Sequence, residues 1–139
     1  MEAIRERALG ALVGLAVGDA IGTTVEFQQR ESFDPVTDMV GGGPFNPRPG
    51  EWTDETSTAL CLADSLIACD DLDETDLVER FCRWWRDGEN SVTGHCFDIG
   101  NVTVTAFYHF KRTADVHAGP TDKMIAGSVM RLSPVTVRY

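Results

Sequence analysis

Residues 50–56, with the sequence Gly-Glu-Trp-Thr-Asp-Glu-Thr, mark the point where an irregular loop must change into a helix. Before this stretch, helix-breaking and strand-breaking residues recur at Gly42, Gly43, Pro44, Pro47, Pro49 and Gly50. After it, apolar residues recur at helical spacing at Ala59, Leu62, Ala63, Leu66 and Ile67. Thr53, Asp54 and Glu55 are therefore predicted to lie at the first turn of a helix that follows a long loop.

This Thr-Asp-Glu group has two interpretations. Consecutive side chains inside a helix point about 100° apart and cannot share a ligand, but at the first turn they can surround a point beyond the helix end. Hydroxyl and carboxylate oxygens favour a hard cation such as Mg²⁺, Mn²⁺ or Ca²⁺. The alternative is an ordinary N-cap, in which Thr53 or Asp54 caps the helix and Glu55 complements its dipole.

The chain has 139 residues and a net charge of −10. This length predicts a single domain, residues 1–139, with enough residues for a core. The charge argues against nucleic-acid binding as the main role, because no basic field is available to meet phosphates. No cysteine belongs to a C-x-x-C pair, so a zinc knuckle is not expected. Cys61 and Cys69 are predicted to be small core residues in a reducing, cytoplasmic compartment.

Residues 3–21 are predicted to form a buried helix, because they are apolar nearly all round after Ala8. Glycine recurs at every fourth position, at Gly10, Gly14, Gly18 and Gly22. This stripe indicates either a second backbone passing very close or ordinary tight helix packing, the second being favoured at Gly10 and Gly14. The apolar run 8–17 is too short to span a membrane, and the start lacks the net positive charge of a signal peptide.

Isolated acids in apolar surroundings are the other candidates for function. Asp19 needs a partner, a capping role or a metal, because its neighbours are apolar. Glu26, between Val25 and Phe27, is either a surface acid or a general base with a raised pKa that acts on water. Asp98 lies between two large apolar residues in the same way.

The rest of the chain is predicted as helices joined by polar links. Residues 34–50 form an irregular loop and residues 70–74 a solvated acidic turn. Asp73 or Thr75 caps a helix that ends at Gly88 and buries one apolar face, made of Leu77, Val78, Phe81, Trp84 and Trp85. Residues 101–112 are predicted to be a helix rather than a strand, and a last helix runs from Thr121 through Met130.

The order and spacing of several motifs resemble the ADP-ribosylglycohydrolase family, which includes the dinitrogenase-reductase-activating glycohydrolases. The motifs are Gly18-Asp19-Ala20-Ile21-Gly22 with Glu26, residues 50–56, Phe97-Asp98-Ile99-Gly100, and residues 130–135 with the sequence Met-Arg-Leu-Ser-Pro-Val. Each motif alone is weak, but the combination is specific and spans nearly the whole chain.

The resemblance implies an all-α fold, an orthogonal helical bundle, and a binuclear centre of Mg²⁺ or Mn²⁺. It implies cleavage of the glycosidic bond between ADP-ribose and a protein side chain, so the partner is ADP-ribose or an ADP-ribosylated protein. By the resemblance, the metal ligands are Thr53, Asp54 and Glu55, the catalytic residues are Glu26 and Asp98, and the substrate contacts are Asp19, Gly100, Met130 and Arg131. Carboxylates near the ribose suit an oxocarbenium-like transition state, and metal ions offset pyrophosphate charge in an acidic chain.

The chain also departs from the family pattern. Family members are longer, and their second metal motif, Asp-x-Asp-Thr, has no counterpart after Arg131. Residues 71–75, Asp-Leu-Asp-Glu-Thr, are a near match in the wrong place, and Glu55 stands where the family has the shorter Asp. The segment before Met130 also departs from the usual Ala-Gly-Asn-Gly. These departures predict an N-terminal portion or a shortened descendant of the family, catalytically incomplete as this chain alone.

Two functional hypotheses follow from these features. The first is a metal-dependent hydrolase that is complete only with a missing half. The second is a non-catalytic helical remnant that binds ADP-ribose or a protein partner. A missing half would leave apolar helix faces exposed, so self-association of the chain is expected. Contact with a membrane is not expected, and the sequence leaves open whether arginine, serine or another side chain carries the ADP-ribose.

Overall fold

The computed structural model describes residues 2–117 and 127–139, and every regular element in those ranges is helical. The α-helices are α1 (Glu2–Gly22), α2 (Asp54–Cys69), α3 (Glu74–Asp87), α4 (Asn101–Thr113) and α5 (Ser133–Arg138). Short 3-10 helices follow α1 at Thr23–Val25 and precede α5 at Val129–Arg131. The predicted all-α class is confirmed.

The helix boundaries follow local sequence signals. Asp73 caps α3, where its side chain accepts a hydrogen bond from the Asp76 N–H at 2.9 Å. The helix predicted over 101–112 is present as α4. The helix predicted from Thr121 to Met130 lies largely outside the described residues, and the short helix α5 was not predicted.

The core lies where α2, α3 and α4 meet. Its most buried side chains are Cys61, Trp84, Phe107 and Phe81, which are between 0% and 6% exposed. The Phe81 and Phe107 rings stack with centroids 6.1 Å apart. Trp85 packs against this cluster from outside, so both tryptophans contribute to the core, as predicted. Each such side chain contributes roughly 1.5–3 kcal/mol through burial.

Gly88 ends α3 and holds the loop that leads to Asp98. Its φ is +75°, and a Cβ built there would lie 2.0 Å from the carbonyl oxygen of Gly94. Only glycine fits both the left-handed conformation and this close backbone approach. The predicted end of α3 at Asp87-Gly88 is therefore confirmed, and the glycine also fixes the path of the next loop.

The predicted burial of α1 is wrong for the described residues. Ala20 is its only buried residue there, whereas Ile4 is 64% exposed and Val13 is 58% exposed. A Cβ built at Gly10, Gly14, Gly18 or Gly22 would meet no heavy atom within 4 Å, so no second backbone approaches the glycine stripe in residues 2–117 and 127–139. The physical reason is that α1 contacts α2 and α5 along only part of its surface.

Exposed apolar residues also occur outside α1. Cys69 was predicted to be a core residue but is exposed near the end of α2, and Ile67 is 80% exposed. By length and composition, the helical segment Glu2–Val25 meets the criteria for a membrane span, with a mean hydropathy of 1.6. The helical segment that meets these criteria is therefore longer than the apolar run 8–17 identified in the sequence. Core helices of soluble proteins and N-terminal signal sequences meet the same criteria.

Candidate active site

Asp19, near the end of α1, accepts hydrogen bonds from the first turn of α2. The Thr53 N–H donates to both carboxylate oxygens at 3.0 Å, and the Thr56 N–H donates to Oδ2 at 3.0 Å. The hydroxyls of Thr53 and Thr56 donate to the same carboxylate at 2.7 and 2.6 Å. The free N–H groups at the start of a helix need such acceptors, so Asp19 caps α2 from a different helix.

The ordinary N-cap at Thr53 or Asp54 is not what the structure has. Thr53 is the residue before α2, but its side chain makes no capping hydrogen bond. Its Oγ1 instead lies 2.7 Å from Asp19 Oδ1 and 2.6 Å from Glu55 Oε2. A hydroxyl has a single proton and cannot donate to both carboxylates at once. One of these contacts therefore requires a further positive charge, either a proton or a cation.

A groove of about 450 Å³ opens beside this contact. It gathers four of the predicted site residues, Asp19, Glu26, Thr53 and Glu55. The wall formed by α1 contains Gly14, Gly18 and Gly22, whose lack of side chains keeps the groove open. The 3-10 helix Thr23–Val25 follows α1 and is itself followed by Glu26, which therefore lies beyond the same end of α1 as Asp19.

A second cavity, of about 310 Å³, lies on the other side of the start of α2. It contains Asp54, together with the predicted substrate contacts Gly100 and Met130. Glu55 lines the larger groove and Asp54 lines the second cavity, but their carboxyl groups still meet, because a hydrogen bond to Glu55 contributes to the raised pKa of Asp54. In residues 2–117 and 127–139, no three His, Cys, Asp or Glu side chains form a group arranged to hold a metal ion.

The acids of the site raise one another's pKa values. Burial, and after it the charges of Asp98, Glu55 and Asp19, raise the pKa of Glu26 from 4.5 to about 7. Burial also raises the pKa values of Asp54 and Asp98, with the charge of Glu55 as the next cause for both. Carboxylates crowded in this way favour uptake of protons or binding of a cation.

Comparison with known proteins identifies the family. The ADP-ribosylglycohydrolase family model matches residues 1–139. This chain belongs to the ADP-ribosylglycohydrolase family. The family that the sequence motifs predicted is therefore confirmed.

Relatives within this family are longer than the chain. ADP-ribosylarginine hydrolase Tri1 of Serratia proteamaculans is 51% identical over 134 residues, covering 95% of this chain and 36% of that protein. ADP-ribosyl-[dinitrogen reductase] glycohydrolase of Rhodospirillum rubrum is 40% identical over 97 residues, covering 67% of this chain and 33% of that protein. The chain thus spans about a third of the length of these relatives.

A solved structure supports the fold directly. A chain of an ADP-ribosylglycohydrolase-related protein complex superposes with a TM-score of 0.83 and 39% sequence identity. The match covers 98% of this chain and 44% of that one. The helical arrangement described above is therefore that of part of the ADP-ribosylglycohydrolase fold.

Arg131, a predicted substrate contact, is held by structural contacts. Its guanidinium lies 5.0 Å from the centre of the Phe81 ring and donates to the Gly127 carbonyl at 3.2 Å. Burial lowers its pKa, and the nearby charge of Asp54 opposes this effect. Arg131 thus brings a partly buried positive charge close to Asp54. Its assignment to substrate binding in this family member stays a prediction.

Two threonines of the site were missed by the sequence analysis. Thr56 supplies an N–H and a hydroxyl to Asp19, and its position three residues after Thr53 is the signal that could have shown this. Thr23 is 5% exposed, and its hydroxyl has no hydrogen-bond partner among the described residues. Thr23 also lines the larger groove. No pattern in the sequence distinguishes it from the adjacent Thr24.

Proposed function

We propose that this chain carries part of a metal-dependent ADP-ribosylglycohydrolase site that removes ADP-ribose from modified protein side chains. The observation that carries the proposal is the cluster of acids at the start of α2, where a single Thr53 hydroxyl lies between Asp19 and Glu55. Family membership supplies the reaction class, and relatives named as hydrolases of ADP-ribosylated targets support it.

The donors at the start of α2 fit a divalent cation. Thr53 and Glu55 offer oxygens on the side of the larger groove, and Asp54 offers a carboxylate on the side of the second cavity. Oxygen ligands and excess negative charge suit Mg²⁺ or Mn²⁺. When bound, such an ion orients ribose hydroxyls or water and offsets the charge of the pyrophosphate.

Glu26 is the residue suited to proton transfer. With a pKa of about 7, its carboxyl group exists in both protonation states near neutral pH. It can therefore take a proton from a water molecule that attacks the ribose carbon of the glycosidic bond, and pass that proton to the side-chain nitrogen or oxygen that leaves as the bond breaks. We assign to Asp98, whose charge acts on Glu26, the stabilisation of positive charge that develops on the ribose. The groove of about 450 Å³ is within the size range of small-molecule sites.

Arginine is the first modified side chain to test. The Tri1 relatives from Serratia proteamaculans and Pseudomonas putida, 51% and 49% identical to this chain, are named ADP-ribosylarginine hydrolases. We extend that specificity to the site containing this chain. Serine is the comparison side chain, because its O-glycosidic bond differs from the N-glycosidic bond of arginine.

We further propose that hydrolysis requires residues beyond this chain. The chain spans 36% of the length of the Tri1 relatives, and in residues 2–117 and 127–139 no three His, Cys, Asp or Glu side chains are grouped to hold a metal ion. An ion or substrate displaced by about 1 Å loses roughly a hundredfold in rate. Mg²⁺ held by few carboxylates keeps its waters and is not fixed in position.

The test is to incubate the purified chain with ADP-ribosylated arginine and serine peptides and Mn²⁺, and to follow free ADP-ribose. We expect no useful release from the chain alone. Release is expected from the arginine peptide when a family C-terminal half containing Asp-x-Asp-Thr is added in trans, and Asp54→Ala abolishes it. Robust turnover by the chain alone, abolished by Asp54→Ala, would refute the proposal that hydrolysis requires residues beyond this chain. It would show instead that the chain is a complete enzyme.

The non-catalytic alternative makes a different prediction in the same experiment. A binding module would bind free ADP-ribose, as measured by calorimetry. It would not release ADP-ribose from either peptide, even when the C-terminal half is added. Its ADP-ribose affinity would also be the same with Mn²⁺ and with a chelator. Either result would reject the hydrolase proposal.

A further inference from the structure

We infer that Asp19 is a positioning residue that sets the direction of the Thr53 hydroxyl proton, and so turns the Thr53 oxygen into a cation ligand beside Glu55. This inference rests on the proposed function, because it concerns the same metal site. It gives Asp19 a task other than the substrate contact predicted by family resemblance.

The argument begins with the proton on Thr53. Its Oγ1 has a single proton and lies within 2.7 Å of acceptors on both Asp19 and Glu55. If the proton pointed to Glu55, the lone pairs of Thr53 would face Asp19 and none would be available beside Glu55. If the proton points to Asp19, a lone pair faces Glu55. A cation shared by Thr53 and Glu55 is compatible only with the second arrangement.

The surroundings of Asp19 favour that arrangement. Its carboxylate already accepts the N–H groups of Thr53 and Thr56 and the Thr56 hydroxyl. The backbone N–H groups of Thr53 and Thr56 fix the position of the carboxylate against the first turn of α2, and they remain when the Thr56 hydroxyl is removed. Both carboxylates accept hydrogen bonds, but only that of Asp19 is held against Thr53 by backbone N–H groups, and this fixed acceptor is the one to which we assign the Thr53 proton. Glu55 has fewer partners in the described residues, namely the Thr53 hydroxyl and the carboxyl group of Asp54, and it accepts no backbone N–H there.

The contact also couples α1 to the proposed metal site. Asp19 and Thr53 are separated by 34 positions in the sequence. Glu26, placed shortly after α1 by the Thr23–Val25 turn, lines the same groove. Residues that orient metal ligands without touching the metal commonly change metal affinity by about 10- to 100-fold when they are replaced.

A purely structural role for Asp19 is the competing explanation. As the cap of α2, Asp19 stabilises the fold whether or not a metal binds. Replacing it would then lower metal affinity only through general loss of order. The Thr56 hydroxyl provides the matched control, because it donates to Asp19 at 2.6 Å without contacting Glu55.

The experiment is a double-mutant cycle on Mn²⁺ affinity, measured by electron paramagnetic resonance of the free ion. The full chain is compared with Asp19→Asn, Thr53→Val, the double variant, Thr53→Ser and Thr56→Val. We expect Asp19→Asn to weaken Mn²⁺ binding about tenfold in the parent chain and not at all in the Thr53→Val background. Thr53→Ser restores binding to within about threefold, because it keeps the hydroxyl.

The free energy of unfolding, measured in the presence of a chelator, separates the positioning role of Asp19 from its role as the cap of α2. Thr56→Val is expected to lower the free energy of unfolding by about 1 kcal/mol, the typical net value of one hydrogen bond, and to leave Mn²⁺ affinity within about twofold. If Asp19→Asn weakens binding equally in both backgrounds, Asp19 is only a cap and the inference is overturned. Asp19→Ser replaces the Asn variant in the cycle if that variant does not fold.

The outcomes also distinguish the inference from the proposed function. Mn²⁺ binding that Asp54→Ala removes but Asp19→Asn leaves unchanged would overturn the positioning role and leave the metal site standing. No Mn²⁺ binding by the parent chain at millimolar protein would reject both.

Discussion

At the scale of residues, the site is a cluster of acids that form no ion pairs with the residues that the structure describes. Asp19 is satisfied by donors from α2, whereas burial raises the pKa of Glu26 to about 7. The sequence predicted a raised pKa from the apolar neighbours Val25 and Phe27, but Phe27 is 79% exposed, and the nearby acids add to the effect of burial. Folding without a cation therefore costs free energy at neutral pH, because Glu26 must either ionise in an unfavourable place or retain a proton.

This cost predicts that the effect of Glu26→Gln on the free energy of unfolding, measured in the presence of a chelator, depends on pH. The pKa of Glu26 rises from 4.5 to about 7 on folding, so the native state binds more protons between those values and its stability falls as pH rises through them. The Gln variant lacks this loss. Urea unfolding should give similar free energies for variant and parent at about pH 4.5, and a more stable variant at about pH 8. A stability difference that is the same at both pH values would contradict this account.

The sequence predicted which acids matter but not how they meet. Apolar neighbours singled out Asp19, Glu26 and Asp98, and the loop-to-helix transition singled out Thr53. The bond between Asp19 and Thr56 depends on how α1 packs on α2, which no local pattern contains. Only the fold shows that Glu55 lines the larger groove, that Asp54 lines the second cavity, and that their carboxyl groups still meet through a hydrogen bond.

At the scale of elements, the irregular loop before α2 is fastened to the turn that precedes Glu26. The Thr24 hydroxyl donates to the Gly41 carbonyl at 3.1 Å. Gly43 has a φ of +70°, and a Cβ built there would lie 2.2 Å from the Thr23 carbonyl oxygen. The neighbouring Gly42 has a φ of +84° but open space around it. At Gly43 the loop therefore packs against the backbone of the 3-10 helix Thr23–Val25, which precedes Glu26.

The two glycines give a matched pair of substitutions. Gly42→Ala should destabilise the chain by about 1–2 kcal/mol, the cost of a left-handed conformation for an L-residue. Gly43→Ala should cost a further 1–3 kcal/mol or so, because the added methyl group forces the loop away from the Thr23 backbone. Urea unfolding of both variants tests this difference. Equal losses for the two would show that the loop does not pack against the turn.

Helices were the most predictable elements because their signals are local. The Asp73 cap, the apolar face of α3 and Gly88 all lie within the segment that they define. The short helix α5 gave no comparable signal, since it contains six residues. The predicted burial of α1 was wrong for the described residues. An apolar sequence indicates that a helix face would be more stable when buried, but it does not show which other part of the chain packs against that face.

At the scale of the whole molecule, the uncovered apolar face of α1 is the main feature. Leu9 is 51% exposed, Val13 is 58% exposed and Val17 is 38% exposed on the same helix. Contiguous apolar surface of this kind marks an interface or a tendency to aggregate. The chain's net charge of −10 opposes self-association, and salt screens that repulsion.

Self-association that increases with salt is therefore expected for the isolated chain. Analytical ultracentrifugation at low and high ionic strength measures it, with binding of an apolar dye as a second readout. The double substitution Leu9→Gln and Val13→Gln should reduce association, whereas Tyr108→Gln, at an exposed position on α4, should leave it unchanged. A monodisperse monomer without dye binding at either ionic strength would count against an exposed interface on α1.

The central claim is that the start of α2 binds a divalent cation, and paramagnetic broadening by Mn²⁺ in a two-dimensional NMR spectrum tests it most directly. Sub-stoichiometric Mn²⁺ should broaden the backbone amide signals of Asp19, Glu26 and residues 53–56, and Asp54→Ala should remove the effect. The acidic turn at residues 70–74 is the internal comparison, because it has a similar density of carboxylates on an exposed link. Broadening confined to residues 70–74, with the signals at the start of α2 unchanged, would contradict the account.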